Sequence, residues 1–290
     1  MLHKTALTLT NPANGNLAFK IHFFESASAF DHIQRNNYYT LIWVKSGSGK
    51  LKVDFNDCQV QSNHIYAFSP YQPFMFSSTD MVGIAIHFHP DFFCIHAHHA
   101  EVACNGVLFN NIYQPPYVAV DETASATIHM VIDQIAKELQ NDELAQYELL
   151  ISYLKIILIT ASRLKVQQQA QQQETSMQAK EPIILQTLKN FIESNYKVKH
   201  SAGEYAELMN ISPKSLAKIT KTYFNKTITD LISERIIIEA KRELYLTNKA
   251  VKEIAFELGY DDEHYFSRFF KNNADVSPQM YRETVGFDRG

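Results

Sequence analysis

The chain has little that would staple a small fold or carry it across a bilayer. Its 290 residues include three cysteines, Cys58, Cys94 and Cys104, and no two are closely spaced. That excludes a disulfide-dense secreted scaffold and fits reduced thiols in the cytoplasm. No apolar run reaches the ~20 residues that a spanning helix requires. The longest, 149–161, is broken by Ser152 and Lys155. The opening Met1-Leu-His-Lys-Thr-Ala lacks the charged-then-apolar order of a secretory signal. No glycine-rich phosphate loop is present, and no Ser/His/Asp or Cys/His set follows from spacing. An excess of positive charge is missing too, since the formal net charge is −4.

What is present is a globular composition, with 46% hydrophobic residues. At this length two domains are expected. Residues from 17 to about 120 have the β-branched and aromatic content of short strands. Tyr38-Tyr-Thr-Leu-Ile-Trp-Val44, then Ser46-Gly-Ser-Gly49, then Lys50-Leu-Lys-Val-Asp-Phe55 read as a β-hairpin. Further strands are expected at 59–61, 65–68 and 82–88, giving a sandwich or small barrel. From 123 to 165 the period changes to that of helices. Ile128, Val131, Ile132, Ile135 and Leu139 form one stripe; Tyr147, Leu150, Ile151, Leu154, Ile157, Leu158 and Ala161 form another. The second stripe, including Leu150, Leu154 and Leu158, is a candidate dimer contact. The polar, low-complexity run from Gln167 to about residue 180 reads as a linker.

The last third is punctuated for helix pairs. Ser201-Ala-Gly-Glu204 has the form of a capping box, and Tyr205, Ala206 and Met209 follow it. Asn210 stands at a turn, and Ser212-Pro213 opens the next helix. There Leu216 and Ile219 face inward, while Lys214, Lys218 and Lys221 face out. Thr227 to Leu246 reads as one long amphipathic helix. Ile254, Ala255 and Leu258 then make a short stripe that Gly259 ends, because glycine takes a left-handed conformation at no steric cost. Asp261 and Asp262 can cap the helix after it, with Tyr265, Phe266, Phe269 and Phe270 as its apolar positions. Each pair has the pattern of a helix-turn-helix, whose second helix lies in a major groove. A helix of ~20 residues is ~30 Å long and separates two such units by about one DNA turn, ~34 Å.

These residues resemble the AraC/XylS family of bacterial transcription regulators over about 182–285. The pieces that carry the resemblance are 206–216, Arg235 to Leu244, Ile254-Ala255 with Leu258-Gly259-Tyr260, Tyr265-Phe-Ser-Arg-Phe-Phe-Lys271 and Ser277-Pro-Gln-Met-Tyr-Arg282. The family's base-reading positions map onto Lys214, Ser215, Ala217 and Lys218 in the first recognition helix. In the second they map onto Glu263, His264, Ser267 and Arg268. Arg and Lys can read guanine and Glu can accept from cytosine, while Lys221 and Lys271 suit phosphates. An ion pair of Arg268 with Glu263 or Asp262 is the competing reading. Residues 181–290 hold 16 Lys/Arg and 16 Asp/Glu. Binding to DNA therefore requires the basic side to be turned toward the phosphates. Lys214, Lys218, Lys221, Lys226, Arg268 and Lys271 are its candidates.

The N-terminal strands are similar to the cupin-type sensor of that family. The features are Val44-x-x-Gly47-x-Gly49, Phe68-Ser-Pro70 and Phe88-His-Pro-Asp-Phe-Phe93. The resemblance implies an effector inside a barrel, with dimerisation through the helices after it. Asn36, Tyr38, Trp43 and Gln72 are candidate effector contacts, with the Trp43 ring in or beside the interior. Ten of the 12 histidines precede residue 130, five of them between His87 and His99. The places where catalytic cupins carry metal ligands hold Arg35-Asn-Asn-Tyr38 and Pro70-Tyr-Gln-Pro-Phe74, and His32 stands without ligand partners. No metal, catalytic residue or cofactor is therefore assigned, and His96-Ala-His98-His99 reads as a solvated loop.

The expected fold is α+β in two domains: a cupin-like β-barrel with an appended helical pair (1–166), a linker (167–180) and an all-α module with two helix-turn-helix motifs (181–290). The expected protein is a cytoplasmic, effector-controlled regulator that binds double-stranded DNA. It would be a homodimer through 123–165, with RNA polymerase as a further partner and no membrane association. A cupin-type enzyme and an architectural DNA binder are the alternatives.

Overall fold

The structure, a computed structural model, describes residues 6–12, 15–54, 56–77, 80–103, 106–141, 143–175 and 183–285. The chain divides into two compact units, one of 1–111 with 115–168 and one of 112–114 with 169–290. Among the described residues no helix is long and apolar enough to cross a membrane.

The first unit is built on two antiparallel sheets. Strands β1 (Leu7–Thr10), β2 (Leu17–Phe24), β3 (Tyr39–Ser46), β4 (Gly49–Val53), β5 (Asn56–Val60), β6 (His64–Phe68), β7 (Phe74–Ser77), β8 (Val82–Phe88) and β9 (Tyr117–Ala119) follow in chain order. The larger sheet runs β1-β2-β8-β3-β6-β9 and the smaller β5-β4-β7. The hairpin expected across 46–49 is therefore not formed. β3 pairs with β6 and β8, whereas β4 pairs with β5 and β7. Gly47 carries the chain from one sheet to the other. Its φ is +104°, and a Cβ there would stand 2.3 Å from the Asp80 carbonyl oxygen. Only glycine fits that crossing.

Side-chain alternation separates two cores. Ile42, Val44, Tyr66, Phe68 and Ala85 point from the larger sheet toward Leu51, Val53, Phe74 and Phe76 of the smaller. Tyr39, Leu41, Trp43, Ile84, Ile86 and Phe88 point the other way and are covered by helices. Those helices are α2 (Glu122–Glu138), capped by Asp121, and α3 (Gln146–Thr175), which come after the short α1 (His99–Val102). Leu150, Leu154 and Leu158 of α3 are 0% exposed and belong to this outer core. The second stripe is thus not a dimer surface, because the outer face of the sheet already occupies it. α3 is also longer than expected, and the described part of the glutamine-rich run is its last turns.

The open edge of β9 is covered by two side chains of α3. Lys165 Nζ donates to the carbonyls of Pro115, at 2.8 Å, and Tyr117. The Gln168 amide both accepts from Ala119 N, at 3.2 Å, and donates to Ala119 O, at 2.7 Å. They stand where another strand would pair, which protects a sheet edge that would otherwise invite one.

The second unit holds seven helices among the described residues: α4 (Ile183–Asn195), α5 (Ala202–Leu208), α6 (Pro213–Phe224), α7 (Ile228–Leu246), α8 (Val251–Glu257), α9 (Glu263–Ala274) and α10 (Pro278–Val285). The local signals read from the sequence account for their ends. Ser201 and Glu204 form a reciprocal capping box, and Thr227 and Asp230 form another. Asn210 has φ +54° between α5 and α6.

Candidate nucleic-acid interface and sensor face

In the first unit, the inner face of the larger sheet carries a polar row at one end. Lys20, His87 and Thr40 lie opposite one another on β2, β8 and β3. Thr40 Oγ1 and His87 Nδ1 are 3.0 Å apart, and both side chains are buried. The His22 ring stacks on His87, with centroids 5.4 Å apart, and on Phe30 at 5.8 Å. Tyr38 meets His87 edge-on at 5.0 Å. Burial, then the charge of Lys20, lowers His22 to about 4. The same causes, with His22 itself, hold His87 well below the usual imidazole range.

Of the four candidate effector residues, Tyr38 alone contacts this row. Asn36 uses its carbonyl to accept from Tyr71 N at 2.7 Å. Gln72 ties loops together, accepting from Ser69 N at 3.0 Å and donating to Asp54 at 2.7 Å. Trp43 faces the opposite way from the row. Its ring is 3% exposed and packs on His129 of α2 at 4.7 Å, with Lys45 Nζ 3.8 Å from its centroid. The expectation of an inward Trp43 fails because β3 is shifted one residue in phase. His22, Lys20 and Thr40 were missed because three strands distant in sequence assemble them.

The histidine cluster separates. His87 points inward, while His89 lies beyond the strand and accepts from Asp91 N at 3.2 Å. His98 stacks on Phe93 and bonds Glu101 at 2.8 Å. With His98 and then Lys155 beside it, Glu101 is held at about 2. His32 does have partners, Asp31 and Gln34. Among the described residues no three His, Cys, Asp or Glu side chains group as a metal site. Cys58 and Cys94 form no disulfide among the described residues, and Cys104 lies outside the described residues.

In the second unit, α5–α6 and α8–α9 are the two helix pairs. Gly259, with φ +80°, turns α8 toward α9 where a Cβ would come 2.1 Å from Lys197 O. Asp262, rather than Asp261, caps α9 by accepting from His264 N at 2.7 Å. On α6, Leu216 and Thr220 are buried and Ile219 half-buried, and Lys214, Ser215, Ala217, Lys218 and Lys221 are exposed. The Ser215 hydroxyl lies 2.8 Å from that of the cap residue Ser212, which engages it at the helix start. On α9, Phe266 and Phe270 are buried, His264, Arg268 and Lys271 exposed, and Glu263 and Ser267 half-buried. Tyr265, expected inward, is instead 58% exposed, with its ring beside Tyr260. A helix buries only one arc, and Phe266 and Phe270 fill it.

The closing segment has a structural role. Tyr281 packs on Phe270, and Arg282 donates to the carbonyls of Leu244 at 3.1 Å and Lys249 at 2.7 Å, holding α10 against the end of α7.

Residues 205–284 match a family model described as a helix-turn-helix domain. The raffinose operon transcriptional regulatory protein RafR of Pediococcus pentosaceus is 29% identical over 33% of this chain and 35% of its own length. The HTH-type transcriptional activator Btr of Bacillus subtilis is 26% identical over 84% of this chain and 44% of its own. The regulatory protein SoxS of Salmonella typhimurium is 29% identical over 35% of this chain and 95% of its own. The C-terminal unit is an AraC/XylS-family domain. The chain spans less than half the length of RafR and of Btr.

The charges of this AraC-type domain are sorted by pairing. Glu239 accepts from Arg235 at 3.2 Å and Arg242 at 2.7 Å. Lys249 bonds Glu243 at 2.9 Å and Glu257 at 2.6 Å. Arg235 also bonds Glu193 at 2.7 Å. Lys226, counted above among the DNA-facing cations, is instead paired with Glu234 at 2.6 Å. By contrast, Lys214, Lys218, Lys221, Arg268 and Lys271 make no ion pair within 4.0 Å among the described residues. Carboxylates are thus engaged around α7, and the two recognition helices keep exposed positive charge despite the balanced total.

Proposed function

We propose that the protein is a sequence-specific regulator of transcription that binds double-stranded DNA through α6 and α9. The observation that carries this reading is the set of exposed, unpaired cations on those two helices within an AraC-type domain. α7 has 19 residues, a rise of ~28 Å, and so suits two units spaced by about one turn of DNA. Arg268 and Lys218 suit guanine edges, Glu263 and His264 suit donor and acceptor edges, and Lys221 and Lys271 suit phosphates. The name of Btr, a transcriptional activator, supports activation, and an activator would take RNA polymerase as a partner.

The first unit, read as a cupin-like sensor, would take a small effector between its two sheets. An effector acts only if it binds two states with different affinity. Dimerisation is assigned to a different face of α3 from the one expected. Leu149 and Ile156 are exposed and Tyr153 half-buried at i, i+4 and i+7, and they suit a second copy. Joining two modest binders in a dimer raises affinity without new contacts. Residues 167–180 would join the two domains, and the protein would work in the cytoplasm.

Selection of bound sites from random double-stranded DNA tests the reading. Arg268→Ala should cost about 1–3 kcal/mol on the selected site and relax preference at one base position, whereas Lys221→Ala should weaken all sequences and lower the salt slope by about one. Equal loss on selected and random DNA for Arg268→Ala would remove its base-reading role, and no selected sequence at all would sink the regulator reading.

A further inference from the structure

The row on the inner face of the larger sheet is a set of bases without an acid. Lys20, His22 and His87 come together from β2 and β8 at positions 20, 22 and 87. Lys20 is half-buried and, among the described residues, meets no carboxylate within 4.0 Å. Nor does any carboxylate contribute to the electrostatics of either imidazole; besides burial, Lys20 acts on His22, and His22 and Lys20 act on His87. The other side chains that meet the row are Thr40, Tyr38 and the rings of Phe24 and Phe30, all neutral. His22 Nδ1 is buried with no hydrogen-bond partner. Buried polar atoms are rarely left so, since an unmade hydrogen bond leaves the desolvation of the group uncompensated.

A charged lysine beside two donors, walled by aromatic rings and lacking an internal counter-charge, is complementary to an anion. An anion placed there would offset the charge of Lys20 beside the two imidazoles and accept from His22. We infer that Lys20, His22, His87 and Thr40 form the anchor for the acidic group of a small organic anion. This deepens the proposed effector reading and rests on it for its biological meaning, though the binding itself does not. The anchor differs from the set expected from the sequence, sharing with it the wall residue Tyr38.

The minimal probe is formate, with formamide as its uncharged match, added to the full-length protein at constant ionic strength. The C2 proton signals of His22 and His87 are followed by NMR, assigned through His22→Phe and His87→Phe. The expected result is a saturable shift of both signals with formate and none with formamide. Lys20→Met should weaken that response at least tenfold, and Lys20→Arg should restore it. Lys20 is half-buried on a strand and tolerates a linear side chain, so both variants should fold as the parent does. No saturable response to formate, or one unchanged in Lys20→Met, would overturn the anchor; a response shared by signals of His200 and His264 would mark an adventitious ion only and overturn it as well. Because this readout uses no DNA, its failure leaves the regulator reading standing. Absence of sequence-selective DNA binding would sink that reading and leave the anchor standing.

Discussion

Acid should unfold the N-terminal unit sooner than its carboxylates alone require, and His22 is the group to examine. Its imidazole is lowered from 6.5 to about 4 by burial and then by Lys20. The unfolded chain takes up this proton as the pH falls through 6.5, whereas the folded chain does so only near 4. The unfolded state therefore binds more protons across that window, and folding stability falls with falling pH between the two values. Above pH 7 the group contributes no such loss. At pH 4.5 the difference corresponds to ~2.5 kcal/mol for a fully shielded group. His22 is half-buried, so solvent screening reduces the expected loss to roughly 1.5–2 kcal/mol. His87 acts in the same direction, its value being lowered by burial, His22 and Lys20. Trp43, the single tryptophan, sits in the core of this unit and reports its unfolding separately from that of the helical unit. Urea denaturation followed by its fluorescence at pH 7 and pH 4.5 is the assay. His22→Phe keeps a ring against Phe30 and cannot titrate. It should lose roughly 1.5–2 kcal/mol less than the parent between the two pH values. An equal loss in variant and parent, or a His22 signal titrating near 6.5, would refute the reasoning.

Other perturbations test other parts. Gly259→Ala should cost the helical unit about 2–4 kcal/mol, read by urea denaturation, since both the left-handed backbone and the Lys197 carbonyl oppose a Cβ; a loss under ~1 kcal/mol would contradict the turn geometry. Leu154→Ala should cost about 2–5 kcal/mol as a core truncation and leave the mass in analytical ultracentrifugation unchanged. Ile156→Glu should instead shift a dimer toward monomer with little change in folding, and an unaltered mass would clear this face of α3. Replacing Lys165 with Met and Gln168 with Ala should speed amide exchange at Ala119, whose N–H then loses its side-chain acceptor; unchanged protection would mean the edge is covered by something else.

The C-terminal unit was the more legible because its decisive signals are local. A capping box at Ser201 and Glu204, a turn at Asn210, a glycine at 259 and a cap at Asp262 each act within a few residues, so the order of residues alone fixes where helices begin and stop. The apolar stripe of α7 is similarly readable, since one face repeats every 3.6 residues. The same reading failed at Tyr265, where an aromatic residue next to the buried Phe266 belongs to the solvent side of the helix. Periodicity there marked the helix but not the width of its buried arc.

The sheets show where local reading stops. Tyr39 to Val44 of β3 are all buried, because the smaller sheet covers one face and α2 with α3 the other. With both faces covered, the alternation that would tell inside from outside disappears, and Trp43 could not be oriented from its neighbours. Gly47 read as a hairpin turn, yet whether a glycine turn joins paired strands or passes between sheets depends on partners elsewhere in the chain. Leu154 showed an apolar stripe, but only the outer face of the larger sheet decided what covered it. His22, Thr40 and His87 became neighbours through the pairing of β2, β8 and β3. The sequence by itself determined the helix pairs, their turns and the family they resemble, because those signals are short-range. Tertiary structure decided which strands pair, which face of each is inside, and therefore where an effector could be held, because those depend on contacts between residues far apart in the chain.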